Sequence, residues 1–166
     1  MELTFVPNGV VQIDGARLCF RNFKGEGSMY NNEGDRNFAI VIPDETIAEA
    51  LLNDTNEMGA SWNVKIKAPR EEGDEPFRYL PVKVKYTERS QPKVYLVSGK
   101  NRRELDEHTI GLLDEISIAS ADIDIRPYDS ESRFGAHRTA YLQAIRVHQN
   151  MNFDRFAAED EYPRED

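Results

Sequence analysis

Apolar and polar residues alternate along most of this chain, and a period of two predicts β-strands. Residues 10–23 set Leu18 and Phe20 on one face and Arg17, Cys19, Arg21 and Phe23 on the other, with Asp14-Gly15 interrupting as a turn or bulge. A loop rich in glycine and asparagine follows over residues 24–35. Residues 36–42 place Phe38, Ile40 and Ile42 together, and Pro43 ends that strand. Asp44 can cap a short helix whose stripe is Ile47, Ala48, Leu51 and Leu52. Trp62, Val64 and Ile66 alternate with Asn63, Lys65 and Lys67, a half-buried strand that assigns Trp62 to the core. An acidic loop, 69–76, has proline at both ends. Further strands are predicted over 77–86, 94–97, the second half of 118–125, and 139–147, with a short helix over 109–116.

Seven or so short strands separated by turn signals predict a mainly β fold, a barrel or a sandwich, with one or two short helices. A chain of 166 residues suits one domain, and 39% hydrophobic against 31% charged residues suits a folded one. Residues 1–149 form that domain. Residues 150–166 hold six acids and two basic residues, a net −4, without a strand pattern, and are predicted to be a disordered acidic tail. The lone Cys19 can form neither an internal disulfide nor a thiolate metal cluster. No apolar run approaches ~18 residues and the first ten residues lack the pattern of a secretory leader, so no membrane partner and a cytoplasmic location are expected.

Charge changes the picture. The formal net charge of −9 argues against a protein coated in nucleic acid, but the charge is partitioned. Residues 65–103 hold eleven basic residues and five acids, while residues 104–125 hold seven acids and no lysine or arginine. Within 77–86, Leu80, Val82, Val84 and Tyr86 form a core face, and Phe77, Tyr79, Lys83 and Lys85 the opposite one. Rings interleaved with amines are what a single strand of nucleic acid needs, rings for unpaired bases and cations for phosphates. Lys65 and Lys67 lie on the non-core side of their strand, and Arg21 with Phe23 repeats the pairing. Lysines also line solvated strand faces and guard sheet edges, so a protein-interaction β-domain without nucleic-acid binding is the alternative.

Signals for catalysis are weak. His108, His137 and His148 have no zinc-hydrolase spacing, and the GEGS stretch around Ser28 is neither a phosphate loop nor a nucleophile elbow. Asp122 and Asp124 share a strand face and could hold Mg²⁺, but exposed acids on strands are far commoner. Cys19 has cations beside it but no histidine near in sequence. Neither an enzyme nor a cofactor is expected.

The stretches RNFKGEGSMYNNEGDRNFAIVIPDE, WNVKIKAPREEGDEPFRYLPVKVKY and DIDIRPYDSESRFGAHRTAYLQAIRV resemble a family of bacteriophage single-stranded DNA-binding proteins. The resemblance covers residues 15–149, and YNNEGDRNF before an apolar strand and PD is its most specific piece. It implies an OB-fold, a five-stranded Greek-key barrel with elaborations, and a role in phage replication or recombination without catalysis. It also implies that the acidic tail recruits replication or recombination proteins. The end of this chain, Asp160, Glu161, Tyr162 and Pro163 followed by 164–166, departs in order from the acidic-proline-aromatic tip of bacterial relatives.

Together these readings predict binding of single-stranded DNA with little sequence preference. The candidate cations are Arg21, Lys24, Arg36, Lys65, Lys67, Lys83, Lys85, Arg126 and Arg133, and the candidate stacking rings are Phe23, Tyr30, Phe77, Tyr79 and Tyr128. The loops 24–35 and 127–138 are expected to close over the bound strand.

Overall fold

The computed structural model describes residues 1–151; of the tail expected to be disordered over 150–166, residues 152–166 lie outside the described residues. The strands are Glu2–Phe5 (β1), Val11–Ala16 (β2), Leu18–Asn22 (β3), Arg36–Ile42 (β4), Lys65–Lys67 (β5), Phe77–Val84 (β6), Lys93–Ser98 (β7), Asn101–Leu105 (β8), Ile118–Ser132 (β9) and Gly135–Gln149 (β10). One α-helix, Glu45–Leu52 (α1), and one 3-10 helix, Ile110–Asp114, complete the described elements. The helix starts where the sequence places it, because the Asp44 carboxylate accepts a hydrogen bond from the Ile47 amide at 2.9 Å.

The strand order is β1-β2-β9-β10-β6-β4-β3, and β2 and β3 are separated by Arg17 alone. They form one bent strand that pairs with β9 through its first half and with β4 through its second. The bend therefore closes the path into a barrel. All its pairings are antiparallel except β6 with β10, where Ala140 and Tyr141 lie beside Val82 and Lys83 in parallel. A bent first strand, a parallel closing pair and Greek-key connections make this an OB-fold barrel. Its elaborations are α1 and β5 between the second and third barrel strands, and the β7–β8 hairpin between the third and fourth.

The alternation in β4 and β6 sends Phe38, Ile40, Ile42, Leu80, Val82 and Val84 inward, where they meet Ile13, Ile123, Ile125, Leu142 and Trp62. A second, smaller cluster lies outside the barrel: Cys19, Phe20, Ala39 and Val41, with Phe77 and Tyr79 packed on it.

Four expectations are corrected. Leu18 and Phe20 do not share a face, for Leu18 enters the barrel and Phe20 the outer cluster. The cause is a register shift of β3 against β4 between Cys19 and Asn22, with Phe20 at φ +50°, the left-handed region that a bulky residue rarely adopts. The same shift turns Phe23 inward, where it is fully buried and stacked on Phe38 at 4.9 Å between ring centroids. Ile66 is exposed, because β5 pairs with β6 alone and ends before it reaches the core. Finally, residues 127–138 are not a loop but the outer half of the β9–β10 hairpin, which turns only at residues 133–134.

The burial of Phe23 sets a test. Phe23→Ala should destabilise the domain by about 3–5 kcal/mol in chemical denaturation, whereas Ile66→Ala should stay within about 0.5 kcal/mol. Equal effects would mean that the parity shift at Phe20 is misplaced.

Candidate nucleic-acid interface

One row of side chains crosses the outside of four strands. Asn37 on β4 is the register partner of Lys83 on β6, Lys83 of Tyr141 on β10, and Tyr141 of Arg126 on β9. Their sequence neighbours Phe38, Val82, Ala140, Leu142 and Ile125 are buried inside, so the row faces outward. The Arg126 guanidinium lies 5.1 Å from the Tyr141 ring centroid, and the exposed Tyr128 meets Tyr141 edge-on at 5.8 Å. Asn37, Lys83 and Tyr141 of this row line a groove of about 580 Å³ that also takes in Arg36, Lys85 and Tyr86, with Arg126 beside it. Arg36 sits 5.6 Å over the Tyr86 ring. Burial pushes the Tyr86 hydroxyl up to about 12, against the opposing pull of Arg36, so it stays protonated at neutral pH.

Two walls rise beside the groove. The first is the loop 24–35. The Asp114 carboxylate, buried on the 3-10 helix, accepts from the amides of Phe23 and Lys24 at 2.8 and 2.9 Å and fixes where the loop begins. The loop is pinched at its base, where the Gly34 amide donates to the Gly25 carbonyl at 2.7 Å. A side chain at Gly25, which is at φ +72°, would meet the Gly34 backbone at 3.0 Å, so glycine is required there. The Asn31 side-chain amide spans the loop to the Glu26 and Asp35 carbonyls, and its oxygen accepts from Asn37 at 2.9 Å, tying the loop to the row. Met29 and Tyr30 stand exposed at the tip.

The second wall is the outer half of the β9–β10 hairpin, tipped by Arg133 over the exposed Phe134 ring at 4.8 Å. Its base is clamped by Arg138, which donates to Asp129 at 2.8 and 3.2 Å and to the Asp54 carbonyl at 3.0 Å. Asp54 in turn accepts from the Trp62 indole at 2.8 Å, and Arg138 lies 5.1 Å over the Trp62 ring. The connector after α1 thus anchors the hairpin to the core.

A family model described as "Putative phage ssDNA-binding domain" matches residues 3–162. The chain belongs to this family. No curated protein matches it. Among solved structures, the "Single-stranded DNA-binding protein from bacteriophage Enc34, C-terminal truncation" aligns with a TM-score of 0.54 at 15% identity, over 89% of this chain and 90% of that one. The same phage protein "in complex with ssDNA" aligns with a TM-score of 0.53 at 17% identity, over 92% and 93%. At such identity the likeness is one of fold.

In this family member the residues singled out from sequence fall into three groups. Arg36, Lys83, Lys85, Arg126 and Tyr128 meet in or beside the groove, with Tyr30 and Arg133 on its walls. Lys65, Lys67, Phe77 and Tyr79 form a separate patch where β5 meets the lower half of β6. There Lys67 Nζ lies 4.7 Å over the Phe20 ring and 5.7 Å over that of Tyr79. Phe77 and Tyr79 are half-buried against Phe20, at 6.1 and 5.0 Å, rather than bare on the surface. The third group is engaged elsewhere. Arg21 donates to the carbonyls of Leu113 and Ile116, both at 2.7 Å, Lys24 ion-pairs with Glu115, and the buried Phe23 cannot meet a base.

Asn37, Phe134 and Tyr141 were missed from sequence. Tyr141 was legible, because Ala140 and Leu142 mark the inward face of its strand. Asp122 and Asp124 line one pocket, and the Asp122 carboxylate there is engaged by Arg146 and His148. Burial raises Asp122, but bonds from Arg146, the Gly15 amide and His148 outweigh it and leave the carboxyl below its ordinary value. Burial, then Asp14, raises Asp124. Among the described residues no three metal-ligating side chains gather.

The clamp on the hairpin predicts a pH dependence. Its bond to Arg138 holds the Asp129 carboxyl below the ordinary carboxylate range, despite some burial. A depressed folded-state value adds stability above the unfolded value, about 3.9, and that stability is lost as pH falls through the folded one. Hydrogen exchange should therefore show residues 128–138 losing protection below about pH 4, with the step absent in Asp129→Asn. Identical profiles would show that this pair does not hold the arm.

Proposed function

We propose that this chain binds single-stranded DNA with little sequence preference along the outer face of β4, β6, β10 and β9. The observation that carries the reading is the row Asn37–Lys83–Tyr141–Arg126, which alternates hydrogen-bonding, cationic and aromatic groups across four registered strands. Tyr141 and Tyr128 offer faces for unpaired bases, at roughly 1–3 kcal/mol each. Lys83, Lys85 and Arg126 neutralise phosphates. Every base has a π-face, so such a surface reads little sequence. The loop 24–35 with Tyr30, and the hairpin tip with Arg133 and Phe134, bound the strand on either side. Lys65 and Lys67 beside Phe77 and Tyr79 extend the face along β6. Membership of a phage ssDNA-binding family supports the ligand class.

The role that fits is protection of exposed strands during phage DNA replication or recombination, in the host cytoplasm and without catalysis. Among the described residues no helix is long and apolar enough to cross a membrane. Residues 150–166, with their net −4, serve as a hook for replication or recombination proteins in this reading.

Titration with fluorescent oligo-dT and with duplex DNA of equal length tests the proposal. Oligo-dT should bind more tightly, and no binding of either at moderate salt would overturn the reading in favour of an interaction domain. Lys83→Ala with Lys85→Ala should flatten the log–log salt slope by on the order of 1, since each neutralised phosphate on a single strand contributes about 0.7. Tyr141→Ala should weaken binding by about 1–3 kcal/mol while Tyr141→Phe largely preserves it. Phe77→Ala and Tyr79→Ala should lower stability as well as affinity, because both rings cover the outer cluster.

A further inference from the structure

The cations of this chain differ in how they are used. Arg21, Lys24, Arg138 and Arg146 are engaged with carbonyls or carboxylates of the fold itself. The β7–β8 hairpin is different. Its residues 93–105 contain Lys93, Lys100, Arg102 and Arg103 against one acid, Glu104, the register partner of Tyr95. All four are exposed, and none forms an ion pair among the described residues. Four basic residues against one acid, a net +3 on one short hairpin of an acidic protein, form a strong local field.

The topology sets this hairpin at the end of the groove. β10 runs beside β6 at Ala140 and Tyr141, then beside β7 from Ala144 to His148. β7 therefore takes the place along β10 that β6 leaves, with Lys85 and Tyr86 at the join. Lys93 and Tyr95 lie on the outer side of β7, opposite the buried Val94 and Leu96. The Arg102 guanidinium stacks on the Tyr95 ring with its carbon 4.0 Å from the centroid. That stacking orients a planar fork of donors without consuming it on a carboxylate. Asp122, the nearest acid across β10, is already neutralised by Arg146 at 2.8 Å. Asp14 and Asp124 line one cavity with Tyr95 and Arg102 and repel phosphate from that side, which leaves the side toward Lys85 for the backbone.

We infer that the β7–β8 hairpin is a second phosphate-binding surface, which takes the DNA backbone as it leaves the groove past Lys85. The inference rests on the groove reading above. Arg102 covers the face of Tyr95, so the hairpin holds the backbone without stacking bases. Its contribution is electrostatic and requires a strand long enough to reach it.

The test is a variant with Lys93→Gln, Lys100→Gln, Arg102→Gln and Arg103→Gln in the full chain. It is titrated with oligo-dT of about 6 and about 16 nucleotides, within the range occupied on one OB-fold, over a salt series. The short strand should bind the variant as it binds the unaltered protein. The long strand should bind more weakly at low salt, with a slope reduced by about 0.7 for each phosphate no longer neutralised. An unchanged slope on the long strand would overturn the inference, and so would equal weakening at both lengths, which would reveal a diffuse field. Failure of the unaltered protein to bind the short strand would count against the groove reading instead. If the fourfold variant melts early, Lys93→Gln with Lys100→Gln, which leaves the Arg102–Tyr95 stack intact, repeats the comparison. It should show the same length dependence at a smaller size, and its absence would overturn the inference.

Discussion

Arg17 is where the chain must leave one strand neighbour for another. Ala16 still pairs with Ala121 on β9, while the Arg17 carbonyl already accepts from the Val41 amide on β4 at 2.9 Å. Two adjacent residues are thus bound to opposite sides of the sheet, and the sheet closes. Closure removes the open edges of the barrel strands and leaves one register in which Ile13, Phe38, Leu80, Val82, Ile123 and Leu142 all point inward. Each large side chain contributes about 1.5–3 kcal/mol on burial, so a slip by one residue, which turns a strand inside out, is strongly disfavoured. The outward set follows from the inward one. Lys83, Tyr141 and Arg126 stand in one row because their neighbours fill the barrel.

The same closure explains how a chain of net −9 presents a basic path. Phosphate responds to the local field, which falls off over about 10 Å at ordinary salt. Asp35 and Glu107 line the groove itself, while other acids near the path are engaged with the fold. Asp114 accepts from two amides at the base of the loop 24–35, Asp129 and Asp54 surround Arg138, and Asp122 holds Arg146. These carboxylates organise the walls of the site rather than its floor. Arginine at buried position 138 suits that task, since its fork reaches Asp129 with two nitrogens and the Asp54 carbonyl with a third bond.

Much of this was legible in the sequence. The faces of β4 and β6 and the Asp44 cap follow from periodicity and capping chemistry alone, and Trp62 is buried as expected although the alternation that placed it fails at Ile66. What was not legible has identifiable causes. The outer half of the β9–β10 hairpin leaves the barrel, and its polar residues 128–137 carry no apolar alternation to announce strands. β8, with the sequence NRREL, is an edge strand with one buried residue, and β1 pairs with β2 alone. Phe23 was misplaced because a period of two cannot survive the shift at Phe20. The engagement of Arg21 and Lys24 with the fold was not legible because their partners, on and just after the 3-10 helix, lie some ninety residues away.

Breaks in alternation shape the binding face as much as alternation does. The left-handed backbone at Phe20 costs about 1–3 kcal/mol of strain, and it lets one strand send Leu18 and Phe23 into the barrel while Cys19 and Phe20 support the aromatic patch outside. A second break, between Leu142 and Ala144 in β10, acts on the other side of the site. Tyr141 and Arg146 are an odd number of residues apart and would face opposite ways in a regular strand. With the shift both face outward, while Leu142, Ile145 and Val147 remain buried. Without it, either the second half of β10 would expose Ile145 and Val147, or Tyr141 would turn into the core. The break therefore joins the groove beside β6 and the cationic hairpin beside β7 into one continuous outer surface.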